Sequence, residues 1–288
     1  MVKKISIIIV TYNSYDLILD CINSIFTFND LEDNKIEIII VDNSSLSESE
    51  RLKKLLSEIY GNRILFIKNE NKGYGHGNNL GVKNSSGDII AIMNPDVRLS
   101  EPVFRRTLEL FNDTDVASVG FKQINGAGNF SFFRLPEFFS PFLYSFKNRL
   151  ANKEQKFNQY EYSLSGAFVF FKRKYFEEIG MYDEDFFMYF EEADTARRIN
   201  LINKKILYDN SKSYLHLMDQ KESFNNTLLD IGTESIRIYF SKYNLDVKKY
   251  IRRRLLELYI YKFLFSVLGN TERKLKAQAY IKSLKKLL

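Results

Sequence analysis

Apolar residues in the first hundred positions fall into short continuous runs separated by stretches of helical period. Residues 5–10, 36–41, 64–67 and 89–93 are dominated by Ile, Val, Leu and Met. Runs of this length without alternation mark strands buried on both faces. After the first run, Leu17, Ile18, Cys21, Ile22 and Ile25 recur at helical spacing. After the second, Leu52, Leu55, Leu56 and Ile59 do the same, so each set marks the inner face of a helix. The succession β-α-β-α-β predicts an open α/β sheet. Residues 100–160 are less regular, and 129–146 hold two prolines and many aromatics, which reads as a flexible loop or a lid over a cleft. Residues 164–171 read as one further strand, 191–203 as a helix, and the chain from 227 onward as helical.

Three of the apolar runs end in polar clusters: Thr11-Tyr12-Asn13, Asp42-Asn43-Ser44-Ser45 and Asn94-Pro95-Asp96. Ligands of open α/β sheets collect outside the carboxyl ends of the strands, so the clusters predict one cleft built from several loops. Asp42 can accept hydrogen bonds from a nucleobase or ribose, although a cap or turn role accounts for it equally. A single carboxylate past a strand end, Asp96, suits Mg²⁺ or Mn²⁺ completed by diphosphate oxygens and water; a Pro-containing turn is the plainer alternative. Gly73, Gly75 and Gly77 alternate in the stretch that opens with Asn71 and contains Asn79. Backbone without Cβ can approach a phosphate or sugar, and a turn into a helix explains the glycines nearly as well. Glu191, Glu192 and Asp194 crowd the start of a helix, where acids favour the macrodipole or act as a general base toward a hydroxyl. Phe186, Phe187, Tyr189 and Phe190 beside them would raise a carboxyl pKa by desolvation. Spacing puts Glu191 and Asp194 on one helix face and turns Glu192 elsewhere. His216, one of two histidines, gains a metal role only if it pairs with Asp96.

Composition narrows the class. A chain of 288 residues with 45% hydrophobic content makes one large domain or a domain with an appendage, and is not globally disordered. Its single cysteine, Cys21, excludes an intrachain disulfide and fits a cytoplasmic setting. The first apolar run is too short for a signal peptide core, and no stretch approaches the ~20 apolar residues of a spanning helix. The net charge of +6 is unevenly placed: residues 248–288 hold 12 Lys and Arg against two acids, leaving the remainder mildly acidic. That tail interleaves its cations with Leu255, Leu256, Leu258, Ile260, Phe263, Leu264, Phe265 and Leu268. It reads as a solvated helix face or as a segment lying in an anionic membrane interface. An acidic body without a recognition motif argues against nucleic-acid binding.

Taken in order, these motifs resemble the family 2 glycosyltransferases of GT-A fold, and most of all the rhamnosyltransferase-like branch of cell-surface polysaccharide assembly. The resemblance covers residues 5–225. Residues 7–13 resemble the opening strand and Thr-Tyr-Asn turn, and 41–45 the Val-Asp-Asn-Ser-Ser turn whose Asp meets the nucleotide base. Residues 71–81 resemble the segment beside the nucleotide-sugar. Asn94, Pro95, Asp96 and Val97 resemble a form of the metal-binding Asp-x-Asp motif that retains only its last acid. Ser165, Gly166 and Ala167 resemble the acceptor-side segment, and 186–194 the Glu-Asp-x-Asp stretch. The family's base is the second acid of that pair, which falls here on Glu192, with Glu191 the alternative.

The resemblance implies a GT-A catalytic domain over 1–226, with a nucleotide-sugar-binding half to 98 and an acceptor-side half beyond. Its mixed central sheet would be flanked by helices and followed by a basic amphipathic helical region at 227–288. It implies inverting, metal-dependent transfer from a nucleotide-diphospho-sugar, dTDP-rhamnose in this branch, to a hydroxyl of a glycan or lipid-linked glycan. Thr11, Asn13, Asp42, Asn71, Gly73, Asn79, Asn94 and Asp96 would face the donor, and Ser165, Gly166 and Asp194 the acceptor. Asp96 and His216 would hold Mg²⁺ or Mn²⁺. The setting implied is the cytoplasm or the inner face of the cell membrane. A catalytically idle nucleotide-sugar- or carbohydrate-binding protein of the same fold is the alternative that the Glu-Glu pair leaves open.

Overall fold

A computed structural model describes residues 4–124, 130–217 and 226–288. The four apolar runs form β1 (Ile5–Thr11), β2 (Ile36–Asp42), β3 (Ile64–Lys68) and β4 (Ile89–Met93). They pair in parallel in the order β3-β2-β1-β4. Helices α1 (Tyr15–Thr27) and α2 (Leu46–Tyr60) cover one face. Of α1, Ile18, Cys21, Ile22 and Ile25 are buried, as their spacing predicts. In α2, Ile59 is exposed and Tyr60 takes the inward position. The glycine-rich stretch is itself a helix, α3 (Tyr74–Lys83), packed on the opposite face. The turn-into-helix reading therefore describes it better than a phosphate cradle.

The second half adds β5 (Val97–Leu99), α4 (Phe104–Leu110), β6 (Val116–Ile124), β7 (Phe132–Arg134), α5 (Leu143–Glu154), β8 (Tyr162–Leu164), β9 (Phe168–Lys172), α6 (Arg173–Glu178), α7 (Glu191–Leu201) and β10 (Lys205–His216). β9 lies antiparallel between β4 and β6, β10 runs parallel to β6, and β5 closes the edge antiparallel to β10. The result is a mixed eight-stranded sheet, β3-β2-β1-β4-β9-β6-β10-β5, with a separate β7-β8 ribbon.

Two expectations change. The single strand over 164–171 is two, β8 and β9, broken at Ser165-Gly166-Ala167. The break gives this turn work at both ends, since Ser165 N–H donates to Ser131 O and Ala167 O accepts from Asn94 N–H. The segment read as a flexible loop or lid is, over its described residues, strand β7, a 3-10 turn at Pro136–Phe138 and the start of α5; residue 129 lies outside the described residues.

Beyond these come α8 (Asn226–Lys242), α9 (Val247–Val267) and α10 (Thr271–Lys285). They share one core, with Ile236, Tyr239, Phe240, Ile251, Leu255, Leu258, Ile281 and Leu284 packed beside Leu135, Phe186 and Ala193. The C-terminal region is thus docked on the sheet domain. Among the described residues no helix is long and apolar enough to cross a membrane.

Candidate active site

In-register pairing of β1 and β2 sets Thr11 beside Asp42 at the carboxyl edge of the sheet. Asp42 is fully buried. Its Oδ1 accepts from the hydroxyls of Thr11 at 2.8 Å and Ser44 at 2.7 Å, whereas Oδ2 has no partner. Leaving a buried acceptor unsatisfied is costly, and an N–H or O–H of a ligand would relieve it. Oδ1 thus serves the turn, and Oδ2 keeps accepting capacity to spare. Asn13 is exposed, holds a left-handed φ of 52°, and donates its N–H to Ser44 Oγ at 2.8 Å. Lys68, which the sequence did not single out, braces the loop through the carbonyl oxygens of Ser44 at 2.7 Å and Asn69 at 2.6 Å.

Asn71 Oδ1 accepts the Gly73 N–H at 3.3 Å. Gly73 has φ +112°, and a Cβ there would stand 2.5 Å from the Phe187 carbonyl oxygen. Its role is to seat the segment before α7 on the start of α3, where Tyr74 N–H donates to Phe187 O at 2.8 Å. Asn79, expected among the donor ligands, is an internal fastener. Its amide hydrogens go to Tyr182 O at 2.8 Å and Glu184 Oε1 at 2.9 Å, and its oxygen accepts Tyr182 N–H at 3.1 Å.

The antiparallel β10-β5 pair sets His216 opposite Val97 and brings its Nε2 to 3.2 Å from Asp96 Oδ2. Arg98 anchors this loop from within, donating to the carbonyl oxygens of Pro95, Val97 and Leu17 at 2.8, 2.8 and 2.7 Å. His216 Nδ1 is buried without a partner. Among the described residues no cluster of three or more His, Cys, Asp or Glu forms. One carboxylate oxygen and one imidazole nitrogen, separated by close to the roughly 3 Å of adjacent ligands around a small divalent ion, fit a cation that takes its remaining oxygens from phosphate and water.

Tyr189 and Phe190 both adopt φ 73°, a backbone uncommon for aromatic residues. That turn delivers Glu191 and Glu192 as the first residues of α7. Glu191 is buried and its Oε2 has no partner. Burial, then the neighbouring Glu192 and Asp194 carboxylates, hold its pKa well above the ordinary carboxylate range. Burial raises Glu192 too, but its own N–H and that of Gly166 pull the other way. Adjacent acids in one apolar pocket do not ionise equally. The two carboxyls are raised unequally: Glu191 the more strongly, and Glu192, which also takes the Gly166 N–H, the less.

The expected facing of the acids is corrected. Glu191 and Glu192 both line a cavity of about 470 Å³, and Asp194 is not part of its lining. Asp194 is fully buried, with its carboxylate held by Arg198 at 2.6 Å, Lys242 at 2.6 Å and the Tyr243 hydroxyl at 2.7 Å. The same cavity is lined by Asn94, Ser165, Gly166 and His216, with Phe133, Tyr144, Tyr189 and Phe190 as an aromatic part of its wall. Ser165 is turned inward, its hydroxyl on Gln123 Oε1 at 3.0 Å. Tyr74, missed in the sequence, stands at the centre, its hydroxyl 3.0 Å from Asn94 Oδ1 and 3.1 Å from Gly166 O. Burial first, then Glu191, Glu192 and Asp96, drive its phenol pKa well above the usual value, so one ring lies within reach of acids far apart in the sequence. Thr11 and Asp42 do not line this cavity; they lie along the same sheet edge, one strand beyond β4 and two.

Comparison with known proteins places this geometry. The chain is 25% identical over 277 residues to glycosyltransferase GlyA of Streptococcus pneumoniae, covering 88% of this chain and 37% of the relative. It is 28% identical over 214 residues to the low-salt glycan biosynthesis hexosyltransferase Agl10 of Haloferax volcanii, covering 70% and 64%. It spans less than two thirds of the length of each. Among solved structures, the mannosyltransferase PcManGT of Pyrobaculum calidifontis, in complex with GDP-Man and Mn²⁺, superposes with a TM-score of 0.63 at 17% identity, over 85% of this chain and 65% of that one. GalNAc-T7 with UDP, GalNAc and Mn²⁺ gives 0.63 at 14% identity, over 84% and 49%. These likenesses show a GT-A fold. The sequence profile described as glycosyl transferase family 2 matches residues 6–180, more than half of the length, and the chain belongs to that family.

Proposed function

We propose that the protein transfers a sugar from a nucleotide-diphospho-sugar to a hydroxyl of a glycan or lipid-linked glycan, with inversion at the anomeric carbon. The observation that carries this reading is the convergence on one cavity of His216, held against Asp96, and the Glu191-Glu192 pair. Asp42 Oδ2 has the free accepting capacity to hold the donor's base or ribose. Asp96 and His216 are the residues that would hold a divalent cation, which when bound neutralises charge on the departing diphosphate. Glu192 accepts the proton of the acceptor hydroxyl as its oxygen attacks the anomeric carbon. The bond to the diphosphate breaks with its electron pair going to the phosphate oxygen. Attack and departure on opposite faces invert the centre. Glu191, raised further than its neighbour, leaves Glu192 the readier of the two to ionise, and the aromatic wall keeps water from competing with the acceptor. Resemblance to the rhamnosyltransferase-like branch makes dTDP-rhamnose the first donor to test, ahead of UDP- and GDP-linked hexoses.

The test is release of nucleoside diphosphate across a donor panel with Mn²⁺ or Mg²⁺. One donor should be consumed, chelation should stop the reaction, and Asp96→Ala should abolish it with the fold intact. Wild-type turnover by Asp96→Ala would remove the metal role. Donor binding without any release, with every acceptor offered, would favour the idle binding protein.

A further inference from the structure

Helix α5 is amphipathic in the reverse sense. Its inward face is polar, with Asn148 and Asn152 buried. Asn148 Oδ1 accepts the Arg134 N–H at 3.0 Å, and Asn152 accepts the Ser131 N–H at 2.8 Å while donating to Phe132 O at 2.9 Å. The two asparagines thus satisfy backbone along β7. Its outward face carries an apolar stripe among charged residues. Leu143, Phe146 and Leu150, at i, i+3 and i+7, are 54, 61 and 41% exposed. Helices of soluble proteins bury the apolar stripe, so this one faces a partner of another kind.

Helix α9 carries a second stripe of this sort. Ile251, Leu255 and Leu258 face the core. Leu256, Ile260, Phe263, Leu264 and Val267 recur at helical spacing on the other side, and Phe263, Val267 and the following Leu268 are 67, 69 and 75% exposed. The two helices meet. The Phe142 ring stands edge-on to Tyr261 of α9 at 5.7 Å, and the Phe142 N–H donates to buried Glu257 at 2.9 Å. Cations predominate around both stripes, since α5, α9 and α10 together hold fourteen Lys and Arg against three Glu. Lys147 and Lys153 fall in line with the α5 stripe, and Arg252 and Arg253 precede the α9 stripe; all four are exposed.

We infer that α5 and the distal half of α9 form one face that docks on an anionic phospholipid bilayer. Apolar side chains set among cations bind such a surface by burial in the acyl boundary and by attraction to the headgroups. Self-association through this face would set cations against cations, and a nucleic acid would leave the apolar stripes unused. Tyr144 of the same helix lines the cavity, so the docking face adjoins the cavity wall. The inference rests on the surface alone and stands apart from the chemistry of the cleft.

The full chain is sedimented with vesicles of phosphatidylcholine and with vesicles that also contain phosphatidylglycerol. Binding is expected to the second only, weakening with salt. Phe146→Gln, Phe263→Gln and Leu268→Gln combined should lower partitioning about tenfold or more, and Arg252→Glu with Arg253→Glu should lower it as well. Thermal unfolding, and nucleotide release measured without vesicles, should match wild type in the triple variant, which separates loss of docking from loss of fold or chemistry. Equal partitioning of the triple variant and wild type overturns the inference. So does equal binding to both vesicle types, or a dimer that the triple substitution converts to monomer without any vesicle binding by the wild type.

Discussion

Glu191 and Glu192 are neighbours in sequence and in the cavity, yet their surroundings push them apart. Glu191 Oε2 is buried without a donor, whereas the Gly166 N–H holds Glu192 toward the charged form. Glutamine is isosteric with a protonated glutamate, so Glu191→Gln should keep transfer within about tenfold of wild type. Glu192→Gln removes the proton acceptor and should cost about 10²-fold or more in kcat. Reversal of that order in a transfer assay would move the base by one residue. Both pKa values are raised by burial first. The acid limb of the rate profile should therefore lie above the usual carboxylate value of about 4.3. For stability the sign follows from the same shift. With the folded value above the unfolded one, the pair's contribution is fully present below the unfolded pKa and is lost as pH rises through the folded values. Glu191→Gln, which cannot ionise, should therefore raise the midpoint of thermal unfolding at neutral pH relative to wild type and leave it little changed under acid. At the donor end, Asp42→Asn keeps the Thr11 and Ser44 contacts through Oδ1 but puts an amide where Oδ2 now accepts. It should raise the donor KM by roughly ten- to hundredfold with a smaller change in kcat. A KM equal to wild type would take Asp42 out of donor recognition. The positions of Asp42, Asp96 and the Glu pair were legible in the sequence because each stands at a strand end or opens a helix. Tyr74 and Lys68 were not, because their roles depend on strands and turns that meet only in three dimensions.

At the scale of elements, what sequence showed and what it hid follow from how each element is buried. β1, β2 and β4 are covered on both faces, so their runs are apolar throughout and easily read. α5 buries asparagines and exposes leucine and phenylalanine, so its pattern gives the wrong inner face and the segment reads as irregular. The break between β8 and β9 is equally hidden, because residues 164–171 remain apolar on both sides of it. A Cβ at Gly166 in that break would collide with the Glu192 side chain, at Oε1 and as far back as Cγ at 2.9 Å. Gly166→Ala should therefore displace Glu192, with about a hundredfold loss of transfer. Unaltered kcat would show that Glu192 tolerates the shift and is not held to a working position. Helix α7 is fixed from below by Asp194 in its cage of Arg198, Lys242 and Tyr243. Asp194→Ala leaves two cations facing a void and should cost about 3 kcal/mol of stability in a denaturant titration. Wild-type stability in that variant would show that the cage is optional.

At the scale of the whole molecule, the basic tail is part of the structure that holds the Glu191-Glu192 turn. Ile251, Leu255, Leu258, Ile281 and Leu284 pack in one cluster with Phe186, in the loop before Glu191, and with Ala193 on α7 itself. Ser235 of α8 donates its hydroxyl to Met188 O at 2.8 Å, and Lys242 bridges Asp183 and Asp194. Removing residues 248–288 would strip apolar cover from α7, so truncation cannot isolate a surface function of the tail. A single core substitution is the cleaner probe. Leu255 is 7% exposed, and Leu255→Ala should cost about 2–5 kcal/mol through lost burial and the cavity left behind. Because the cluster joins the tail to α7, that loss should lower one cooperative transition for the entire chain, followed by circular dichroism and by tyrosine fluorescence together. Two separable transitions, with only the lesser one shifted, would mean that α8 to α10 fold as an independent unit and lend the Glu191-Glu192 turn no support.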